Sequence, residues 1–323
     1  MRHLTLLGVG MRLVVLILML SFATAHAADI PLNPKQQVLW EHLRTALAEE
    51  ERQLDGVLGV AILDLHSGQS LLIRPDELFP QASSIKIAVL AELYHQAQQS
   101  RRGMKGNATL QDRYVVRARD LVPDSAVLGG LTAGVSSLTN RDLATIMVAV
   151  SDNSATNVLI DRVGMENVVR LTSSLGLAHT QLRRKMMDLK AAAEGRENIS
   201  TPREMMSLLE QLYRGKVIES PLLEDFFTVL ETKKDSWIPR DLPPDLKIAN
   251  KPGELEGVRN DSGIVFATDR PYVICVMTTF LNSERAGEEA ITRISRMTYE
   301  MFDRLGRASD LGRVISPGNG GAR

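Results

Sequence analysis

The sequence predicts an α+β fold in which the first and last strands share one sheet and a helical lobe is inserted between them. Three observations favour this fold: strand patterns occur early, residues 108–214 look largely helical, and strand patterns return after residue 247. A cleft is then expected between the sheet and the helical lobe, where ligand sites tend to form.

Local patterns define most of the elements in order. Residues 35–53 have the apolar spacing of an amphipathic helix, and Val57–Leu65 and Ser70–Ile73 flank a turn that is typical of a hairpin. From Ser83 to about Gln98 apolar residues cover most of a helix surface, so this helix is predicted to be mostly buried. Later segments are predicted as helix starts, strands and a final helix: Thr139 and Thr201, then 247–251, 263–267 and 272–280, then about 284–305.

The first residues have the pattern of a secretory signal peptide. Basic Arg2 and Arg12 precede the apolar run Leu13–Leu20, and the segment closes on the A-x-A site Ala25–Ala27. An uncleaved membrane anchor is the alternative, but the apolar run is shorter than the roughly 20 residues of a spanning helix. We therefore expect a signal peptide over 1–27 and an exported protein, periplasmic or secreted, without stable membrane association after cleavage.

Charge and cysteine content restrict the partners. The formal net charge is −1, loss of Arg2 and Arg12 makes it about −3, and no basic run occurs elsewhere, so nucleic acid is not an expected partner. The single cysteine, Cys275, lies in an apolar run and is predicted to be a small buried residue rather than a catalytic thiol. We expect no metal, no cofactor and a monomer.

Ser83 and Lys86 form an S-x-x-K pair, which on a helix shares one face. A serine hydroxyl becomes a nucleophile when a base lies within hydrogen-bond reach, and lysine is a base only as the neutral amine. Burial and a neighbouring positive charge, for which Lys251 is the candidate, lower a lysine pKa. A helix-capping serine followed by a solvated lysine is the alternative interpretation of this pair alone.

Two further motifs supply the remaining groups. In S-D-N the Ser151 hydroxyl can pass a proton between a leaving group and Lys86, while Asn153 can hold a substrate amide; an ordinary helix cap is the alternative. Lys251 and Gly253 form K-x-G, in which the lysine can act as an anion clamp. In this order and at these separations, the three motifs form the signature of serine acyl-transfer enzymes.

From roughly Leu39 to Leu305 the chain resembles the class A β-lactamase-like serine hydrolases, relatives of the penicillin-binding D,D-peptidases. The resemblance is carried by Phe79–Lys86, Ser151–Asn157, Lys251–Gly253 and the following Gly257–Asp261. It implies a five-stranded antiparallel sheet flanked by helices, with an inserted all-helical lobe. The implied boundaries are a hydrolase domain over 28–310, with a sheet lobe at about 36–80 and 215–308 and a helical lobe at about 81–214, and a flexible tail over 311–323.

The resemblance also implies the roles of single residues. The nucleophile, its base, the proton relay, the substrate contact and the electrostatic clamp would be Ser83, Lys86, Ser151, Asn153 and Lys251. The oxyanion hole would be formed by the backbone N–H groups of Ser83 and Glu254.

The third motif departs from the family at Pro252. The family has Lys-Thr-Gly or Lys-Ser-Gly, whose hydroxyl binds the substrate carboxylate, and proline has neither a hydroxyl nor an N–H. A hydrogen bond to a charged group contributes about 1.5–3 kcal/mol, so carboxylate recognition is expected to weaken. Arg259 is a candidate replacement because guanidinium binds carboxylate bidentately; a surface arginine beside a turn is the alternative.

The second departure concerns the glutamate that, in class A β-lactamases, holds the deacylating water from a loop. Counting from the two flanks of that loop puts Met186 or Lys185 at its position, and neither is an acid. An E-x-x-x-N pattern occurs at Glu194 and Asn198 but lies farther along the chain.

Asp188 is the nearest carboxylate and is the candidate deacylation base, although catalytic groups must be placed within about 0.5 Å. Pairing of Asp188 with Arg183 or Arg184 is the alternative. Three functions follow from these motifs: hydrolysis of β-lactam amides through a Ser83 acyl-enzyme with impaired deacylation, D,D-peptidase-like hydrolysis of cell-wall peptides, and penicillin binding with little turnover. The expected substrate is a small β-lactam or a cell-wall peptide.

Overall fold

The computed structural model describes residues 33–309 and 311–314; the predicted signal peptide lies outside them. The helices are α1 Pro34–Gln53, α2 Lys86–Arg101, α3 Asn140–Ala149, α4 Asn153–Val163, α5 Met165–Ser174, α6 Leu189–Ala193, α7 Pro202–Tyr213, α8 Leu222–Leu230 and α9 Glu284–Arg307. The strands are β1 Val57–Asp64, β2 Ser70–Ile73, β3 Phe79–Pro80, β4 Arg113–Val115, β5 Ser137–Thr139, β6 Ile199–Ser200, β7 Ile248–Leu255, β8 Val258–Val265 and β9 Tyr272–Thr279.

The predicted five-stranded antiparallel sheet is confirmed, with the strand order β2-β1-β9-β8-β7. The early hairpin joins the late strands through β1 and β9, where Val57 faces Thr279 and Asp64 faces Tyr272. Because β7 is an edge strand, its second side is free to approach the inserted lobe, which is where the cleft forms.

The period-two alternation of β1 and β9 divides the core into two layers. Val60 and Ile62 face the side covered by α1 and α9, together with Trp40 and Phe302. The intervening residues face the other layer with the buried α2; Cys275 is among them and is fully buried, as predicted. Burial raises the pKa of its thiol to about 12, so the group stays neutral and packs as a small apolar side chain.

The helices at the lobe boundary pack differently from the predicted division. Helix α7, assigned to the helical lobe, packs on β1 and β9, whereas α8, assigned to the sheet lobe, packs on α2 and α3. The inserted lobe also contains the short β4–β5 ladder. No helix of residues 33–309 is both long enough and apolar enough to cross a bilayer.

Several segments differ from their predictions: strand β7 ends at Leu255 rather than 251, and the first α-helix after residue 108 starts at Asn140. Strand β8 begins at Val258, whereas the sequence predicted a strand only from 263. The apolar pattern missed the first part of the strand because its residues Asn260, Asp261 and Ser262 are polar, although they are buried. The predicted tail begins with residues in contact: Leu311 accepts a hydrogen bond from Lys35, and Val314 bridges to Ala308.

Candidate active site

Ser83 lies on a 3₁₀ turn, Ala82–Ile85, that leads into α2. The prediction put Ser83 on the helix itself; the turn places it one step earlier, at the N-terminal end, where free N–H groups and the helix dipole favour negative charge. Ala82 adopts a left-handed conformation with φ of 48°. Such a conformation is costly for a residue with a Cβ, and strained residues of this kind cluster at active sites.

Gly253 allows strand β7 to lie directly against this turn. A Cβ at this position would lie 2.6 Å from the Gln81 carbonyl oxygen and 2.8 Å from the Ser84 nitrogen. The Ser84 hydroxyl also donates to the Lys251 carbonyl oxygen at 3.2 Å. The glycine of K-x-G is therefore required because any side chain would push β7 away from the nucleophile turn.

The S-D-N motif forms the opposite wall of the cleft. Ser151 has a φ of 57°, and Asp152 caps α4 by accepting from Ala155 N at 2.9 Å. The other Asp152 oxygen accepts from Val127 N and Leu128 N, so the middle residue of the motif anchors the wall.

The three motifs meet at the Ser151 hydroxyl. Ser151 Oγ donates to Ser83 Oγ at 2.9 Å, and Lys86 Nζ lies 3.0 Å from Ser151 Oγ. Lys251 Nζ donates to the same oxygen at 3.1 Å. In the described part of the chain Lys86 Nζ makes no hydrogen bond to the Ser83 hydroxyl, so the serine hydroxyl of S-D-N lies between nucleophile and base.

Lys86 is fully buried, and this burial is the main cause that lowers its pKa well below the ordinary lysine value. The positive charge of Lys251 lowers the pKa further, while Asp152 opposes the shift. Nζ donates to Ser151 O at 2.7 Å and to Asn153 Oδ1 at 3.1 Å. A neutral amine has two N–H groups for these acceptors and one lone pair, to which the Ser151 hydroxyl can donate once its proton turns from Ser83 toward Lys86.

The cleft between these walls is a cavity of about 340 Å³. Ser83, Ser151, Asn153, Lys251 and the exposed Glu254 line it. This places in one cavity the predicted nucleophile, relay, substrate contact, clamp and oxyanion-hole residue, with Lys86 behind them. The arrangement defines the chain as an active-site serine hydrolase, in which a serine, a hydroxyl relay and a desolvated amine act together.

The loop position left open by counting is occupied by Met186. Asn157 of α4 donates to Met186 O at 3.0 Å and accepts from Met186 N at 2.8 Å, which fixes the backbone there. The Met186 side chain is buried and lines a second cavity of about 150 Å³ together with Ser83. Lys185 turns away and pairs with Asp161 at 2.6 Å.

The predicted carboxylates of this loop do not reach the cleft. Asp188 caps α6 by accepting from Ala191 N at 3.0 Å, and it is absent from the lining of both cavities at Ser83. Its predicted pairing with Arg183 or Arg184 is wrong, because Arg184 pairs with Glu197 at 2.8 Å.

The two residues of the E-x-x-x-N pattern, Glu194 and Asn198, lie in different surroundings. Glu194 pairs with Arg196, away from the cleft, whereas Asn198 is buried and lines the smaller cavity. Its Oδ1 accepts from Arg183 N at 2.7 Å and Arg184 N at 3.0 Å, so it closes the loop.

Arg259 lies outside the cleft. Its guanidinium pairs with Glu284 at 2.7 Å and with Glu288 at 3.1 Å, and it donates to the carbonyl oxygens of Leu255 and Val258. The side chain is nearly buried between β8 and α9 rather than exposed beside a turn. Both the predicted carboxylate contact and the surface alternative are therefore wrong.

Sequence reasoning missed Lys234, which lines the same cavity as Lys251. It lies in the loop between α8 and β7, in a stretch without periodicity, so no pattern distinguishes it from the exposed Lys233 beside it. The Asn157 contact to Met186 was also missed, although Asn157 belongs to the motif stretch that carries the resemblance.

Comparison with known proteins agrees with this site. A profile of the β-lactamase enzyme family matches residues 41–302. Beta-lactamase 1 of Streptomyces cacaoi is 30% identical over 244 residues, which cover 71% of this chain and 74% of that protein. The chain belongs to the β-lactamase enzyme family, and the resemblance inferred from its motifs is confirmed.

Solved structures give the same result. A β-lactamase from Sphaerobacter thermophilus DSM 20745 has a TM-score of 0.72 and 32% identity, covering 81% of this chain and 97% of that chain. PBP-A also has a TM-score of 0.72, with 26% identity, covering 82% of this chain and 97% of that chain. A leucine-to-glutamate mutant of PBP-A has been solved as an acyl-enzyme complex with penicillin G.

Proposed function

We propose that this chain is an exported serine hydrolase that opens β-lactams by acylation of Ser83 and releases the product slowly. The observation that carries the proposal is the unbroken series of contacts from Ser83 Oγ through Ser151 Oγ to the buried Lys86 amine. General-base groups placed at this distance accelerate proton transfer by about 10²–10⁴-fold.

In the acylation step, Ser83 Oγ forms a bond to the β-lactam carbonyl carbon. The Ser83 proton passes to Ser151 as the Ser151 proton passes to neutral Lys86. The C–N bond then breaks, and the proton returns from Lys86 through Ser151 to the leaving nitrogen. The N–H group of Ser83, on the turn before α2, and that of Glu254, on the edge strand β7, are the proposed donors to the carbonyl oxygen.

Slow product release follows from Met186. Hydrolysis of the acyl ester needs a water whose proton is taken by a base as its oxygen attacks the carbonyl carbon. Asn157 fixes the backbone of Met186, and the Met186 side chain that lines the cavity with Ser83 is apolar and cannot accept that proton. The described carboxylates that line the two cavities, Asp124, Asp235 and Glu254, all have exposed side chains and belong to other segments.

The same observation favours a second candidate function, D,D-peptidase-like cleavage of a cell-wall peptide. In that reaction the acylation machinery is unchanged, and the loop glutamate of class A β-lactamases is not required.

An intact-mass time course tests these functions. The purified protein is mixed with a chromogenic β-lactam or with a cell-wall peptide, and Ser83→Ala is the control. We expect one adduct per chain that persists for hours and is absent from the control. Rapid turnover would contradict slow release, and the absence of both adduct and turnover would overturn both candidates.

Export and oligomeric state are proposed from the sequence and can be measured directly. The mature chain is expected to begin at Ala28 after cleavage at the A-x-A site, and to elute as a monomer. N-terminal sequencing of the exported fraction and size-exclusion chromatography with light scattering check the two points. A retained Met1 in a membrane fraction would contradict export with cleavage.

A further inference from the structure

Two lysine side chains in the cleft have no carboxylate partner. Lys251 Nζ donates to Ser151 Oγ and to Pro252 O, each at 3.1 Å, and Lys234 Nζ donates to Leu230 O at 2.8 Å. Over residues 33–309 and 311–314 neither lysine is within ion-pair distance of an acid. Lys234 therefore keeps two of its three N–H donors for a ligand.

The surrounding charges leave the inner end of the cavity positive. Lys251 is buried and Lys234 is half-buried, whereas the carboxylates that line the cavity, Asp124, Asp235 and Glu254, are exposed. The buried carboxylate nearest in the fold, Asp261, is already bound by Trp237 N, Ile238 N and the Asn250 amide.

The positive charge of Lys234 disfavours the charged form of Lys251, an effect that Asp261 and Glu254 oppose. Burial is the main cause that lowers the pKa of Lys251 to about 7, and the charge of Lys234 adds to it. Burial likewise lowers the pKa of Lys234 to about 8. An anion between the two groups would favour both charged forms, so the free energy of this repulsion becomes available for binding.

Pro252 cannot donate a hydrogen bond to an anion in the cavity, so a second cation can take that role. It follows Lys251 on β7 and lines the same cavity, but it has no hydroxyl and no N–H to offer an anion. Lys234 approaches the same cavity from the loop before β7 and supplies the missing donors.

We propose that Lys234, together with Lys251, binds the carboxylate of the substrate that acylates Ser83. The inference rests on the proposed function, because it adds to that site a residue that selects substrates with a free carboxylate away from the bond to be cleaved. Such a carboxylate, bound between the two ammonium groups, orients the amide toward Ser83.

Lys234→Met tests the proposal, with Lys233→Met as the matched control that removes the same charge from the exposed neighbouring residue. The ligands are penicillin G and its methyl ester, which lacks the carboxylate. The second-order acylation rate constant is measured by intact mass on the otherwise unchanged enzyme. Noncovalent dissociation constants are measured by calorimetry in a Ser83→Ala background, where no acylation occurs.

Lys234→Met is expected to weaken binding and acylation by penicillin G about tenfold to hundredfold, and to leave the ester within about twofold. Lys233→Met is expected to change neither ligand by more than about twofold. An equal loss for both ligands, or the same loss in Lys233→Met, would overturn the proposal. Selective carboxylate binding in the Ser83→Ala background without acylation of the unchanged enzyme would overturn the proposed function alone.

Discussion

The two sides of the cleft differ in how completely they are equipped for catalysis. On the wall formed by S-D-N, three side chains converge on the Ser151 hydroxyl within 2.9–3.1 Å. On the loop side, a methionine occupies the position next to Ser83, and the nearest carboxylate of its own loop is used to cap a helix.

The loop that carries Met186 is nevertheless fixed by buried hydrogen bonds, as the catalytic wall is. Asn157 binds both backbone polar groups of Met186, and Asn198 accepts from two successive loop N–H groups. Because these contacts are to backbone atoms, they fix the position without dictating the side chain. Both sides are therefore held by hydrogen bonds, but only the S-D-N side presents groups that can transfer a proton. This difference favours formation of an acyl-enzyme over its breakdown.

The largest effect is expected on the side of the cleft where Ser83, Lys86 and Lys251 contact Ser151, called the equipped side below. Lys86→Met removes the amine that receives the Ser151 proton, and it should lower the acylation rate constant by about 10²–10⁴-fold. The exposed Lys105→Met serves as the control for loss of one charge. Acylation is followed by intact mass and folding by thermal unfolding; a folded Lys86→Met variant that acylates normally would show that Ser151 is deprotonated by another group.

A smaller gain is expected on the loop side. Met186→Glu places a carboxylate where the structure has a thioether facing the Ser83 cavity, while both hydrogen bonds from Asn157 remain. Deacylation should accelerate about hundredfold, with acylation nearly unchanged.

Ala193→Glu is the control for this gain, because it adds the same charge at an exposed position of α6 that lines neither cavity at Ser83. The decay of the adduct by mass spectrometry distinguishes the two variants. Equal rates in both would mean that the position selected by Asn157 does not aim its side chain at the ester.

Spacing predicts the equipped side well and the loop side poorly. Ser83 and Lys86 are three residues apart in a locally regular segment, so their proximity follows from helix geometry. The contact of Ser151 with Ser83 depends on left-handed backbone at Ala82 and Ser151, which no residue preference announces. Counting from the two flanks of the loop leaves Met186 and Lys185 as alternatives, because the two counts differ by one residue. The hydrogen bonds from Asn157 to the Met186 backbone decide between them.

The same reasoning explains the other differences. Strand β8 is formed by polar residues whose partners lie on distant segments: Asn260 donates to Pro80 O at 2.7 Å, and Asp261 accepts from Trp237 N at 3.1 Å. Arg259 is a candidate carboxylate ligand because guanidinium binds carboxylate bidentately, but that chemistry does not say which way the side chain points. A side chain on a strand can point to either face of the sheet, and on the face covered by α9 the Arg259 side chain pairs with Glu284 and Glu288.

Gly253→Ala tests how closely the two walls must approach. The added methyl would lie 2.6 Å from the Gln81 carbonyl oxygen, so the nucleophile turn or β7 must shift. Overpacking of this kind costs about 1–3 kcal/mol of unfolding free energy, and we expect about a tenfold loss in acylation. Gly130→Ala, where a Cβ meets nothing within 4 Å, is the control. Normal acylation by Gly253→Ala would contradict a strict requirement for close packing.

The smallest expected effect is a pH dependence that the two sides share. The Lys251 ammonium is present below its pKa of about 7 and is lost above it, whereas neutral Lys86 is favoured as the pH rises. Anion binding therefore weakens on the alkaline side, and the acylation rate constant for penicillin G should fall roughly fivefold between pH 7 and pH 8. Penicillin G methyl ester lacks the carboxylate, so its rate constant should stay level or rise over the same interval. A rate that rises for both ligands would mean that deprotonation of Lys86, rather than the charge on Lys251, limits the equipped side of the cleft.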